Sequence, residues 1–92
     1  MNTVGLSGVL VCRDDAEAAI VREQLARHVE LTRAESGCLA FDVEPTSDPL
    51  VWTVRESFRD AAAFRSHQRR VRDSEWGRRT ALIERRYEIS GL

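Results

Sequence analysis

The chain has no lysine; all 14 of its basic residues are arginines. Schiff-base or amine-nucleophile chemistry through a lysine is therefore excluded. Charge of either sign is not in excess. The net value is −1, so no global field draws the chain to nucleic acid or to an anionic membrane. Cysteine and histidine are scarce, at two each. Cys12 and Cys38 form no C-x-x-C pair, and the two histidines complete no zinc set. Long apolar runs are absent, so nothing approaches a membrane span. Met1 to Gly8 lack the basic start and apolar stretch of a secretory signal. The cytoplasm is the expected compartment, with no membrane partner. Phosphate loops, H-x-x-x-H pairs and serine–histidine pairs at motif spacing are also missing. No cofactor is expected.

What is present is enough for one domain, residues 1–92, with an ordinary 42% apolar share. Val4 to Cys12 reads as a strand. Val9 and Val11 point one way, and Leu6, Leu10 and Cys12 the other. Asp14 and Glu17 form a capping box for a helix to about Glu35. Its stripe is Val21, Leu25, His28, Val29 and Thr32, and Gly37 is expected to end it in a left-handed conformation. Cys38 to Glu44 alternates, with Leu39, Phe41 and Val43 expected inward. Pro45 to Pro49 is a turn, and Leu50 to Phe58 is the third strand.

Asp60 caps a second helix with Ala63, Phe64, His67 and Val71 on its apolar side. Ser74 caps a third, carrying Trp76, Thr80 and Ile83. Tyr87 to Ser90 closes the chain as a short strand. This order is the split βαβ plan: an α+β, ferredoxin-like βαββαβ fold with the first and third strands central. Those two strands read as apolar on both faces. Helices cover only one face of such a sheet, so a second copy is expected on the other. In this plan Cys12 and Cys38 fall at the same end of the sheet with a strand between them. That is too wide for a disulfide, so both are expected as structural thiols.

The arginine-rich stretch from Arg65 to Arg79 is interleaved with Asp73 and Glu75 and keeps helical spacing. It reads as a solvated helix face, and no nucleic-acid partner is expected. His28 and His67 are different, because both lie on apolar stripes facing the sheet. Each is either a satisfied core residue or a pocket residue. Trp52 and Trp76 are core packers or ring-orienting groups. Glu56 shares a strand face with Trp52 and Val54. A buried carboxylate there needs a partner, and an arginine salt bridge is expected.

Taken together, the segments HVELTRAESGCLAFDV, SDP, VRESF and DAAAFRSHQ resemble the antibiotic biosynthesis monooxygenase family, which includes small quinol monooxygenases. The family pattern falls on His28, on Arg33 with Glu35, Gly37, Cys38 and Leu39, on Glu56, and on Ala63 with His67. Ser36 stands where the family usually has proline. The resemblance implies a dimeric α+β barrel, hence a homodimer. For activity it implies cofactor-independent oxidation of a small aromatic quinol or phenol by O2.

That chemistry needs an apolar slot for a planar ring, a base to form the anion, and donors for the developing peroxide. His67 is the expected base, with His28 second. Trp52, Phe64 and Trp76 are expected to line the slot with Glu56, and Arg33 or Arg55 to stabilise negative charge. A rival reading is a non-catalytic ligand-binding or interaction dimer of the same fold. Haem degradation is disfavoured. The haem-degrading members use an asparagine on the first strand, and the only asparagine here is Asn2.

Overall fold

The computed structural model describes residues 2–92. The elements run β1 (Val4–Val11), α1 (Asp15–Arg33), β2 (Cys38–Pro45), β3 (Val51–Phe58), α2 (Ala61–Asp73), α3 (Glu75–Arg79) and β4 (Glu84–Ser90). All strand pairs are antiparallel, in the order β2-β3-β1-β4. The fold is the ferredoxin-like α+β arrangement, with β1 and β3 central as the burial pattern implied.

Local chemistry sets the helix starts. The Asp14 carboxylate accepts the Glu17 N–H, and Glu17 Oε1 accepts the Arg13 N–H at 2.7 Å. Asp60 accepts the Ala63 N–H at 2.8 Å. Ser74 Oγ accepts the Gly77 N–H at 3.0 Å and donates to the Val71 carbonyl at 2.7 Å. Each of these bonds satisfies a backbone donor or acceptor that the helix end leaves open.

The helices lie on one face of the sheet. Val4, Leu6, Leu10, Trp52, Val54 and Phe58 point at them and are buried with Val21, Phe64, Trp76 and Ile83. The other face is open and more polar than a fully two-faced reading requires. On β1 it presents half-buried Val9 and Val11. On β3 only Val51 is apolar there, while Thr53 and Arg55 are exposed opposite Glu44 and Asp42.

Several local expectations change. Gly37 has no positive φ, and α1 ends at Ala34 in a right-handed conformation. Glycine is needed at 37 because a Cβ would lie 2.4 Å from the Ala63 Cβ. Leu39 does not point inward. A bulge between Cys38 and Ala40 turns it out, and it is 57% exposed. The two cysteines lie at opposite ends of the sheet, not the same end. Cys12 bonds the Leu50 carbonyl, whereas Cys38 pairs with Phe58; both thiols are free. The third helix stops at Arg79. The Arg85 guanidinium takes the Thr80 and Ile83 carbonyls, at 2.7 and 2.9 Å, and starts β4 three residues earlier than the apolar alternation suggested. Among the described residues no helix is long and apolar enough to cross a membrane.

Candidate functional site

Between the helices and the sheet lies a cavity of about 140 Å³. The floor is β-sheet: Phe41 from β2, Glu56 from β3, and Arg85 and Tyr87 from β4. The register places Phe41, Glu56 and Leu6 in one row across three strands, all pointing at the helices. The roof is His28 from α1, His67 from α2 and Trp76 from α3. The two histidines sit on apolar helix stripes for a simple reason: the faces that must bury against the sheet carry them.

Both imidazoles are almost fully buried, at 5% and 3% exposure. His28 stacks on Trp76 with ring centroids 4.4 Å apart and planes 1° from parallel, and meets Phe41 edge-on at 5.2 Å. Burial, with the positive fields of His67, Arg70 and Arg85 adding to it, pushes His28 down to about 3. Its ring is therefore neutral at physiological pH, and its buried Nδ1 has no hydrogen-bond partner.

His67 lies against Phe58, with centroids 4.7 Å apart, and 6.4 Å from His28. Its Nδ1 is 3.1 Å from both carboxylate oxygens of Glu35. Glu35 in turn accepts Arg70 Nε at 2.5 Å, and Arg70 Nη2 donates to Thr32 Oγ1 at 2.9 Å. Burial lowers the His67 pKa, and the Glu35 carboxylate offsets part of that.

Glu56 is 8% exposed. No arginine pairs with it among the described residues, contrary to the expected salt bridge; the nearest opposite group is His67 Nε2 at 3.6 Å from Oε1. That separation is too long for a hydrogen bond, and Oε1 is left without a partner. Burial and then the Glu35 charge push the carboxyl up to about 7, while Arg85 pulls it back. Burial moves both Glu56 and His67 away from their charged forms, which disfavours an ion pair between them. Tyr87 is pushed up to about 12, chiefly by burial.

Of the residues expected at the site, His28, His67, Glu56 and Trp76 line the cavity. Trp52 and Phe64 do not. Both are packed in the core, Phe64 against Phe58 with centroids 5.7 Å apart. Arg33 lies outside, where its guanidinium donates to the Phe41 carbonyl and the Asp42 carboxylate. Arg55 is on the open sheet face. The cationic group at the cavity is Arg85, and Phe41, Tyr87 and the Glu35–Arg70 pair behind His67 were not anticipated.

The arrangement can hold one planar ring. Apolar cavities of roughly 150 Å³ accept benzene, and two of the lining residues carry a buried polar atom without a hydrogen-bond partner, His28 Nδ1 and Glu56 Oε1. The family profile of the antibiotic biosynthesis monooxygenases matches residues 11–72. Among solved structures, a Pseudomonas aeruginosa protein aligns over 100% of this chain and 93% of its own, with 23% identity and a TM-score of 0.72. A Mycobacterium tuberculosis protein aligns over 98% and 94%, with 23% identity and a TM-score of 0.74. A Nitrosomonas europaea protein, described as a candidate antibiotic biosynthesis monooxygenase, aligns over 99% and 90%, with 17% identity and a TM-score of 0.78. At these identities the likeness is one of fold. No curated protein matches the chain.

Proposed function

Because the chain belongs to the antibiotic biosynthesis monooxygenase family, we propose that it is a cofactor-independent monooxygenase that oxidises a small aromatic quinol or phenol with O2. The observation that carries this reading is the cavity itself. It is the size of one ring, is walled by Phe41 and Trp76, and is lined by two residues with a buried, unpartnered polar atom, His28 at Nδ1 and Glu56 at Oε1. A core built only for packing avoids both the void and the orphaned atoms. Neither histidine is tied to the backbone, and both reach the cavity.

The electrons come from the substrate. A phenol with a C–H at the ring position that takes up oxygen, plus O2, gives a quinone and water. One oxygen atom becomes the new carbonyl. The other leaves as water with the ring hydrogen and the phenolic proton. His67, whose neutral form is favoured by burial, takes the phenolic proton. Neutral His28 offers Nδ1 to a hydroxyl or to reduced oxygen. Arg85 at the cavity supplies the positive charge expected of Arg33 or Arg55, and it favours the anionic forms. Glu56 holds a second hydroxyl of a quinol, and Trp76 and Phe41 hold the ring. The working unit is a homodimer joined through the open sheet face, where Val9, Val11, Val51 and Leu39 leave apolar area uncovered.

The test is oxygen uptake by the purified protein with a panel of single-ring quinols and phenols and no added cofactor. Uptake should occur with at least one of them and fall by about 100-fold or more in His67→Ala, the usual scale for loss of a general base. Uptake unchanged in that variant removes His67 from the mechanism. Saturable ring binding without oxygen uptake across the panel supports the non-catalytic ligand-binding dimer instead.

A further inference from the structure

His67 stands between two openings. Its Nε2 faces Glu56 and the cavity. Its Nδ1 faces Glu35, which lines an open depression on the protein surface with Ser36, Gly37, Arg59, Ala63 and Ser66. The depression and the cavity share no lining residue.

Glu35 is well held for a residue just past a helix end. Both its oxygens lie 3.1 Å from His67 Nδ1, and Arg70, anchored on Thr32, donates to one of them. A carboxylate that already accepts from a guanidinium acts as an acceptor, so the hydrogen in the Glu35–His67 contact sits on Nδ1. An imidazole with Nδ1–H and neutral overall has a bare Nε2. The partner of one ring nitrogen thus decides what the other can do.

We infer that Glu35 is a positioning residue for His67. It locks the Nδ1–H tautomer, turns a bare Nε2 toward Glu56 and the cavity, and completes a proton path from the cavity through His67 to the surface depression behind it. This rests on the site being one where a substrate is deprotonated. A ring that fills the cavity excludes water, so a proton taken by Nε2 has no aqueous way out past the substrate. The path gives it one. The phenolic proton arrives on Nε2, and the Nδ1 proton passes to Glu35 and the solvent of the depression. The reverse transfer returns a proton when water forms, so each turnover is balanced. Before the Nδ1 proton leaves, the imidazolium lies against the Glu35 carboxylate, which stabilises it.

The charged and titratable groups that bear on His67 come from every surrounding element. They are His28 from α1 and Glu35 just past its end, Glu56 from β3 and Arg70 from its own helix α2, while Arg85 and Tyr87 from β4 line the same cavity.

The decisive measurement is the side-chain 15N spectrum of the histidines in the unliganded protein at neutral pH. His67 should show a protonated Nδ1 and a bare Nε2, and Glu35→Ala should shift it toward the other tautomer. In the same variant kcat should fall roughly 10- to 100-fold, the scale of losing a group that orients a histidine. The KM should change little. Formate, small enough for the depression, should restore part of kcat. A His67 found as the Nε2–H tautomer in the parent protein overturns the inference, and that spectrum decides even if the variant does not fold. A changed tautomer with unchanged turnover overturns the proton path. The tautomer is read without substrate. If no quinol reacts at all, the monooxygenase reading falls while the spectrum still decides the role of Glu35.

Discussion

Replacing Glu56 by glutamine should make the protein more stable, and by an amount that depends on pH in a defined direction. The carboxyl is pushed up to about 7, from an ordinary 4.5, by burial and by the Glu35 charge. At about 1.4 kcal/mol per pKa unit, ionising Glu56 inside the fold costs about 3 kcal/mol more than ionising it in the unfolded chain. Only 8% of the residue is exposed, so solvent screening removes little of that. Below the unfolded value both states hold the proton, and there is no penalty. As pH rises, the unfolded chain releases its proton first, and stability falls. Above about 7 both states are ionised, and the full penalty is present. The amide cannot ionise and keeps nearly the same volume. Urea unfolding of both proteins should therefore show an advantage for Glu56→Gln that is about 3 kcal/mol larger near pH 8 than near pH 4.5. Trp52 and Trp76 are buried and report the transition by fluorescence. Protein concentration is held fixed, so that association cancels. A difference that is flat with pH would refute the reasoning, because it would mean that Glu56 ionises in the fold as easily as in water.

His28 predicts the opposite slope. Its pKa is pushed down to about 3 from 6.5, so the unfolded chain binds a proton that the folded one refuses, and stability falls as pH drops below about 6.5. His28→Phe keeps a ring on Trp76 and should lose that slope, which is worth about 2 kcal/mol by pH 5; urea midpoints near pH 5 and pH 7 measure it. Gly37→Ala drives a methyl to within 2.4 Å of the Ala63 Cβ. It should cost about 1–3 kcal/mol in thermal or urea unfolding, as overpacking does, and Ala63→Gly in the same chain should recover most of it. Val9→Arg places a charge in the middle of the open sheet face and should turn the proposed dimer into a monomer by sedimentation. A parent chain that already sediments as a monomer refutes the dimer.

Much of the fold can be read along the chain, because apolar spacing and caps are local signals. Asp14, Asp60 and Ser74 cap the three helices they were expected to cap, and alternation correctly marks β2 as an edge. The failures come from geometry that no short window contains. Trp52 shares a face with Glu56 but lies four residues away, about 13 Å along a strand, which is beyond a one-ring cavity. Phe64 is one turn before His67 yet turns to Phe58. Leu39 obeys alternation on paper, but one bulge reverses it. Arg85 escapes a sequence reading because the start of β4 reads Glu-Arg-Arg, with no apolar period to mark a strand, whereas Tyr87 lies on the expected strand and only its place at the cavity is new. Glu35 follows the helix and was seen only as part of a motif. Its role appears when the turn at Gly37 brings α2 close enough for His67 and Arg70 to reach it.

The two titrating groups of the cavity argue jointly about why it exists. A purely structural core would replace Glu56 and His28 by apolar residues of similar size and gain stability on both sides of neutral pH. The chain instead keeps a carboxyl that is costly to ionise and a histidine that is costly to protonate, each with an orphaned buried atom and each lining the same cavity. Their penalties oppose each other, that of Glu56 growing as pH rises from 4.5 to about 7 and that of His28 growing as pH falls from 6.5 to about 3, so their sum is smallest at roughly pH 5.5. Near neutral pH Glu56 can give or take a proton, His28 is a neutral ring, and His67, moved toward its neutral form by burial, is backed by Glu35. A polar cavity needs water or a ligand to satisfy it. The proposed hydroxylated ring would supply both hydrogen bonds and the apolar contact with Trp76 and Phe41. Near pH 8, where Glu56 is ionised, binding of such a ring should therefore raise the melting temperature most in the parent protein and less in Glu56→Gln, whose neutral amide is a weaker acceptor than the carboxylate. Equal ligand stabilisation of both proteins would mean that Glu56 does not touch the ligand.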